Sequence, residues 1–222
     1  QYLGTYFIFM LKLSIDIGGT FTDVVAETSA GLSSVKVLTT PHAPDQGALD
    51  GVDRLLDDLG RTYKDVTTVI HGTTLAANAL IERRGAKTAF VTTAGFRDVL
   101  DMRYEKRFTQ YDLSIEMPMP LVPRPLRLGL TERILADGSV LTAPLDAEID
   151  ALASQLLGHG IQAVAIGFLH AYRNPTHEIY VAERLRSSVG PEVTICQSAQ
   201  VAGEIREYER FSTVCANAYV RP

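Results

Sequence analysis

One segment alternates strictly between apolar and polar residues, meets two adjacent glycines, and gives way to a second strand-like run. It runs Leu11-Lys12-Leu13-Ser14-Ile15-Asp16-Ile17, then Gly18-Gly19-Thr20, then Phe21-Thr22-Asp23-Val24. A period of two marks a half-buried strand, and so short a gap between two such runs marks a hairpin. With an even-numbered turn, paired positions sum to an odd number, so Asp16 and Asp23 fall on one face. Two carboxylates on one face near a glycine turn are costly unless a cation or a set of donors meets them. Magnesium bridged to a phosphate would be such a cation. Gly18 and Gly19 let the backbone approach a phosphate closely, and their amides can cradle its oxygens. Thr20 and Thr22 add hydroxyl donors. Asp16 to Asp23 therefore reads as a nucleotide-phosphate-binding hairpin, with a plain glycine turn carrying exposed acids as the alternative.

The rest of the chain alternates strands and helices. After a third strand over 35–39, Leu49, Val52, Leu55, Leu56 and Leu59 stand at helical spacing, and Gly60 ends that helix. Val66 to His71 reads as a short β-branched strand. Thr73 to Arg84 reads as a helix capped by Gly85, with Arg83 and Arg84 in its last turn, where the dipole favours cations. Lys87 to Thr93 reads as a buried strand, and 95–102 as a loop entering a short helix. Arg103 to Arg127 contains Pro118, Pro120, Pro123 and Pro125 and has weak periodicity, so it reads as an irregular excursion. Asp137-Gly138 predicts a hairpin. Helices follow over 146–157, from Asn174-Pro175 onward, and over 203–219, with strands at 163–168 and 193–196. This pattern argues an α/β architecture, mostly parallel, with antiparallel hairpins.

Two further segments could carry chemistry. His71-Gly72-Thr73-Thr74 lies between a strand and a helix, where unpaired helix amides attract anions. His71 could donate a proton or a hydrogen bond to a developing oxyanion, or it could be a structural histidine beside an N-cap. Asn78, one turn on, could line the same cleft. Thr92-Thr93-Ala94-Gly95-Phe96-Arg97-Asp98 leaves the C-terminal end of a strand, a usual ligand position in α/β sheets. There Arg97 could clamp a carboxylate or phosphate, or pair with Asp101 at helical spacing. His170, His177 and Glu178 form no known metal spacing. Glu204 to Arg210 reads as a solvated helix face.

Composition narrows the possible functions. A net charge of -5 gives no general footprint for nucleic acid. Tyr2 to Leu13 is apolar but too short to span a bilayer, and it lacks a basic n-region and a cleavage site. No membrane role is expected. Met10 reads as the natural domain start, with 1–9 an extension. Cys196 and Cys215 sit in apolar-periodic segments and read as buried thiols, which suits a reducing cytoplasm.

Taken together, the motifs resemble the N-terminal region of the hydantoinase A/5-oxoprolinase family. The resemblance rests on Asp16 to Asp23, on His71 to Thr74 with Asn78 and Arg84-Gly85, and on Thr92 to Asp98. Phe168-Leu169-His170, Asn174-Pro175 with His177-Glu178, and Arg206 to Arg210 extend it, so that it covers nearly the whole chain from Met10. It implies an actin-like ATPase (ribonuclease H-like) N-terminal half: a mixed sheet with antiparallel hairpins flanked by helices, plus an α/β insertion. Residues 10–102 would be the phosphate-binding part and 103–222 the insertion. The resemblance also implies ATP and magnesium, a cyclic amide or imide substrate, and a hydantoinase B-type partner subunit or domain.

Carried over onto this sequence, Asp16 and His71 would be catalytic, with Asp16 also orienting magnesium through water. Gly18, Gly19, Thr20, Thr22, Asp23, Gly72, Thr73 and Thr74 would hold the nucleotide, and Asn78, Arg97 and Asp101 the substrate. Family members continue past the point where this chain stops, into a second actin-like half that completes the cleft. The expectation is thus an N-terminal domain that is inactive alone. Two readings compete with an ATP-dependent cyclic-amide hydrolase: a subunit of an ATP-dependent ketone carboxylase, and a non-catalytic nucleotide-sensing assembly module.

Overall fold

A computed structural model of the chain describes residues 11–40, 42–104, 111, 112 and 114–222. The proposed extension 1–9, Met10, and part of the proline-containing excursion lie outside the described residues. The chain divides into two compact units, Gln1–Ile81 and Glu82–Pro222.

The first unit is built on the predicted hairpin. Strands β1 (Leu11–Ile17), β2 (Phe21–Thr28) and β3 (Gly31–Leu38) form an antiparallel meander, and β4 (Val66–Thr73) joins β1 in parallel. The sheet order is β3-β2-β1-β4. Helix α1 (Pro44–Leu59) covers one face, where Leu11, Leu13, Val24, Ala26, Val35, Val52, Leu55 and Leu56 form the core. As expected, α1 stops at Gly60, which takes the left-handed conformation at φ 63°. A short helix α2 (Leu75–Ile81) closes the unit.

The second unit is an all-parallel α/β sheet with a small hairpin attached. Its strands are β5 (Thr88–Thr93), β6 (Arg127–Leu130), β9 (Ala163–Gly167) and β10 (Thr194–Gln197), in the order β10-β9-β5-β6. The hairpin pairs β7 (Arg133–Ile134) with β8 (Val140–Thr142) around the Asp137-Gly138 turn. The helices are α3 (Val99–Met102), α4 (Asp146–Gly158), α5 (Thr176–Val189), α6 (Ser198–Val201) and α7 (Glu207–Val220). β5 and β9 are buried along their whole length, which is why they read as continuous runs without alternation. The α/β class, the mixed sheet and the antiparallel hairpins match the expected fold.

Four boundaries differ from expectation, each for a local reason. The contact division falls after Ile81 and not after Met102, because β5 pairs with β6 and β9. Helix α2 ends at Ile81, and Arg83 follows in a left-handed conformation at φ 57°, so neither Arg83 nor Arg84 lies in a last turn. Gly85 is not a cap. The Ala86 amide donates to the Tyr219 carbonyl at 2.8 Å, and a Cβ on Gly85 would lie 2.1 Å from the Tyr219 ring. The last helix begins at Glu207, because Arg206 takes φ 87° and the Glu204 amide turns back to Ala202.

The core of the second unit depends on a close approach at Gly167. A Cβ there would lie 2.6 Å from the Phe211 ring and 2.9 Å from the Phe90 ring, two rings that pack 5.2 Å apart. The expected outcome for Gly167→Ala is a loss of about 1–3 kcal/mol of stability, the usual range for overpacking. Chemical denaturation of the purified chain measures it.

Candidate functional site

The site in the first unit follows from strand register. In β1 and β2, Asp16 stands directly opposite Asp23, and Ile17 opposite Thr22, so the turn has the even length that puts both carboxylates on one face. On the other side of β1, Asp16 pairs with Gly72 of β4. A Cβ at Gly72 would lie 3.8 Å from Asp16 Oδ1, so the glycine leaves the carboxylate room. The two acids then diverge. Lys36 of β3, opposite Asp23, donates to Asp23 Oδ2 at 2.6 Å. Asp16 is exposed and has no partner among the described residues.

The turn is held by threonine hydroxyls. Gly18 must be glycine, because a Cβ there would lie 2.7 Å from the Phe21 carbonyl oxygen. The Gly18 amide donates to that same oxygen at 3.0 Å. Thr39 Oγ1 donates to the Gly18 carbonyl at 2.9 Å and sits 2.9 Å from Thr22 Oγ1. A hydroxyl has one proton. Thr39 uses its proton on Gly18, so Thr22 must donate to Thr39. Thr22 is 0% exposed and is a buried staple of the turn. What remains free at the turn is Thr20, exposed, with its hydroxyl, and the amides of Gly19 and Thr20, none of which has a partner among the described residues.

The second motif reaches the same turn through its backbone. The Thr74 amide donates to the Ile17 carbonyl at 3.1 Å. Thr73 and Thr74 direct their hydroxyls at the same oxygen, at 3.4 and 3.5 Å, and they also accept from the Leu75 amide and Asn78 Nδ2. Both hydroxyls are thus engaged locally. Asn78 does come to the hairpin: a Cβ on Gly19 would lie 3.0 Å from its Nδ2.

His71 stands on the other face of the sheet. It pairs with Ile15 in register, one residue away from the Asp16–Gly72 pair, and successive residues of a strand point to opposite faces. His71 therefore shares the α1 face with Ile15 and Ile17, in an apolar cavity of about 530 Å³ that Val69 and Leu49 also line. Asp16 is on the other face, so the two side chains do not form one catalytic pair.

Arg97 and Asp101 belong to the second unit. Asp101 does not pair with Arg97. It takes the buried Arg127, which also donates to the Val122 carbonyl at 2.9 Å. Arg97 is exposed. Residues set aside in the sequence prove to be buried polar groups here. Glu178 accepts from the Phe168 amide at 3.0 Å, Ser198 Oγ at 2.6 Å and the Ala199 amide at 2.9 Å. Burial raises its carboxyl above the usual range, while these donors pull it back. Arg210, 1% exposed, donates to Ser198 Oγ, the Glu204 carbonyl and the Phe168 carbonyl. His177 Nδ1 lies 2.7 Å from Glu132 Oε2, both groups being buried. Arg210 had a signal in the sequence: it stands on the same helical stripe as Phe211, Val214, Cys215 and Ala218. No sequence pattern announced Thr39 or Glu132.

The family model of the hydantoinase/oxoprolinase N-terminal region matches residues 12–189. The chain belongs to this family. Caprolactamase subunit alpha from Pseudomonas jessenii is 37% identical over 218 residues, covering 95% of this chain and 31% of that protein. The crystal structure of the ATP-dependent caprolactamase from the same organism superposes with a TM-score of 0.80, over 94% of this chain and 31% of the other. The acetophenone carboxylase gamma subunit of Aromatoleum aromaticum (strain DSM 19018 / LMG 30748 / EbN1) is 31% identical over 227 residues, covering 95% of this chain and 31% of that protein. The nucleotide-free structure of an acetone carboxylase shares the fold, with a TM-score of 0.85 at 23% identity, over 96% of this chain and 32% of the other. The chain thus spans about a third of the length of these relatives.

Within this hydantoinase/oxoprolinase region lie the hairpin, the His71 to Thr74 segment and the Thr92 to Asp98 segment, whereas Arg206 to Arg210 lies beyond it. Among the described residues no helix is long and apolar enough to cross a membrane. Cys196 and Cys215 are both free and buried, as expected.

Thr20 and Thr22 separate ligand contact from turn stability. In the longer protein, Thr20→Val is expected to lower ATP-dependent activity about tenfold with little change in melting temperature. Thr22→Val is expected to cost about 1 kcal/mol of stability, the usual worth of one buried hydrogen bond. Steady-state rates and thermal unfolding on both variants check the pair.

Proposed function

We propose that this chain is the N-terminal domain of an ATP-dependent cyclic-amide hydrolase of the hydantoinase/5-oxoprolinase type, and that its hairpin turn grips the nucleotide phosphates. The observation that carries the reading is Asp16, an exposed and unpaired carboxylate held between Asp23 and Gly72 beside the free amides of Gly19 and Thr20. The residues present fit magnesium bound with phosphate. Magnesium is commonly held by one or two carboxylates plus phosphate oxygens and water. The described residues contain no cluster of three or more metal-ligating side chains that would make a complete protein cage.

Bound ATP with magnesium supplies a transferable phosphoryl group. An amide carbonyl is resonance-stabilised and its nitrogen is a poor leaving group. A phosphoryl group passed to the carbonyl oxygen, with ADP as the leaving group, would remove that resonance and expose the carbonyl carbon to attack by water. Catalysis of such a transfer is mostly positioning and charge neutralisation. In this reading Asp16 orients the water shell of the metal, the Gly19 and Thr20 amides and the Thr20 hydroxyl hold phosphate oxygens, and Asn78 steadies the turn from the side. Gly18 and Gly72 keep the backbone open for that approach. Arg97 is offered as a substrate contact on its exposure alone, and His71 has no role in the reading.

The caprolactamase relative supports a cyclic-amide substrate, since a caprolactam is a cyclic amide. The acetophenone carboxylase relative favours a second reading, a subunit of an ATP-dependent ketone carboxylase. Both relatives are named as subunits, which supports a partner subunit, and we take the hydantoinase B type as that partner. The two free buried thiols suit the cytoplasm. Products formed by the full complex from a hydantoin, from 5-oxoproline, and from acetone with bicarbonate separate the substrate readings.

Two outcomes test the site. In the longer protein, Asp16→Asn is expected to reduce ATPase activity at least a hundredfold while subunit assembly stays intact; unchanged ATPase activity would instead support the assembly module. For the 222-residue chain alone, isothermal titration with Mg-ATP is expected to give binding weaker than micromolar and no turnover, and micromolar affinity would overturn that.

A further inference from the structure

The second unit contains a cavity of about 220 Å³ between α3, α7 and the chain near Met119. Leu100, Met119 and Leu121 give it an apolar wall, and Arg83 and Arg103 line it beside them. Each arginine makes one hydrogen bond to a backbone carbonyl: Arg83 Nη2 to Met119 O at 2.6 Å, and Arg103 Nη2 to Pro118 O. A guanidinium has five N–H donors, so most of each fork is left over. Among the described residues neither arginine has a carboxylate partner, whereas Arg84, Arg124, Arg127 and Arg184 each have one. Among the described residues no aspartate or glutamate lines the cavity. Its one thiol, Cys215, adds no negative charge, because burial pushes it well above the ordinary thiol range.

Backbone conformation marks the same place. Four non-glycine residues have positive φ among the described residues, and two of them are Arg83 and Arg103, at 57° and 52°. This conformation is disfavoured for side chains with a Cβ, and such strain gathers at ligand clamps. Two unpaired forks over an apolar pocket suit an anion that is planar at one end and apolar at the other.

We propose that this cavity binds a small organic carboxylate, with its carboxyl group on Arg83 and Arg103 and its apolar body against Leu100 and Leu121. The apolar wall selects against inorganic phosphate. The volume lies below the roughly 300–1,000 Å³ of drug-sized sites, so the occupant is about one substituted ring in size. The inference stands apart from the hairpin and would hold whatever that turn binds.

The test titrates the 222-residue chain with benzoate, with benzamide as its neutral isostere, and with inorganic phosphate, by isothermal titration and ligand-observed NMR. The expected result is saturable binding of benzoate to one site, with benzamide and phosphate at least tenfold weaker. Arg83→Gln and Arg103→Gln are each expected to weaken benzoate at least tenfold, and Arg186→Gln, on an exposed part of α5, to leave it unchanged, with circular dichroism confirming the fold. Benzamide or phosphate binding as tightly as benzoate, absence of saturable benzoate binding, or unaltered binding by the two folded arginine variants would overturn the proposal. The probe comparison needs only the wild-type chain, so it decides even where a variant fails to fold.

Discussion

The register of β1 governs the first unit. Lys12 to Ile17 each have a partner on both sides, and a slip of one position would move every side chain to the opposite face. Leu11 and Leu13 fix the register by packing under α1 with Val24, Ala26, Val52 and Leu55. Fully burying one such side chain stabilises by about 1.5–3 kcal/mol, against roughly 1 kcal/mol net for a hydrogen bond. The apolar face therefore sets the register, and the polar face takes the arrangement that results. Asp16 lies between Asp23 and Gly72 because Leu13 and Ile17 are buried on the other side.

Once the register is set, the turn is a problem of hydrogen-bond supply. Four residues must reverse direction without stranding buried groups. The Thr22–Thr39–Gly18 chain solves this by spending two hydroxyl protons inside the protein. The threonines of the second motif spend theirs on the Ile17 carbonyl. Groups with no internal partner are then few and adjacent: the Asp16 carboxylate, the Thr20 hydroxyl and two amides. A ligand of phosphate character would meet both a place for its cation and donors for its oxygens there. Lys36 reinforces the division by neutralising Asp23 and leaving Asp16 as the unpaired acid.

How much of this was legible depended on the distance over which each feature is determined. The hairpin and the Gly60 cap are local and were legible, whereas the parity of Asp16 and Asp23 depended on an even turn that only the strand register supplied. The α/β class was legible because strand and helix periods differ. The placement of His71 was not, since it needs the register of β4 against β1, strands joined through a whole helix. The engagement of Thr22 was hidden for a similar reason: its partner, Thr39, is in another strand. Gly85 carried a cap signal, yet the tertiary contact with Tyr219 claimed it. Such an override is expected wherever backbone must cross a helix end closely.

The arginines show the limit most clearly, because one residue type takes three roles in one unit. Arg127 and Arg210 are buried and answer backbone carbonyls left at the ends of strands and loops. Arg184 bridges α5 to Asp146 and Asp150 on the surface, where solvent screens such pairs. Arg83 and Arg103 belong to neither group. They are ordered by one carbonyl each, in a strained backbone, with no carboxylate partner among the described residues. Folding alone gives no return for holding two like charges around one apolar cavity, since repulsion and strain both oppose it. A structure that nevertheless holds them there is better matched to an anion it binds than to its own empty state.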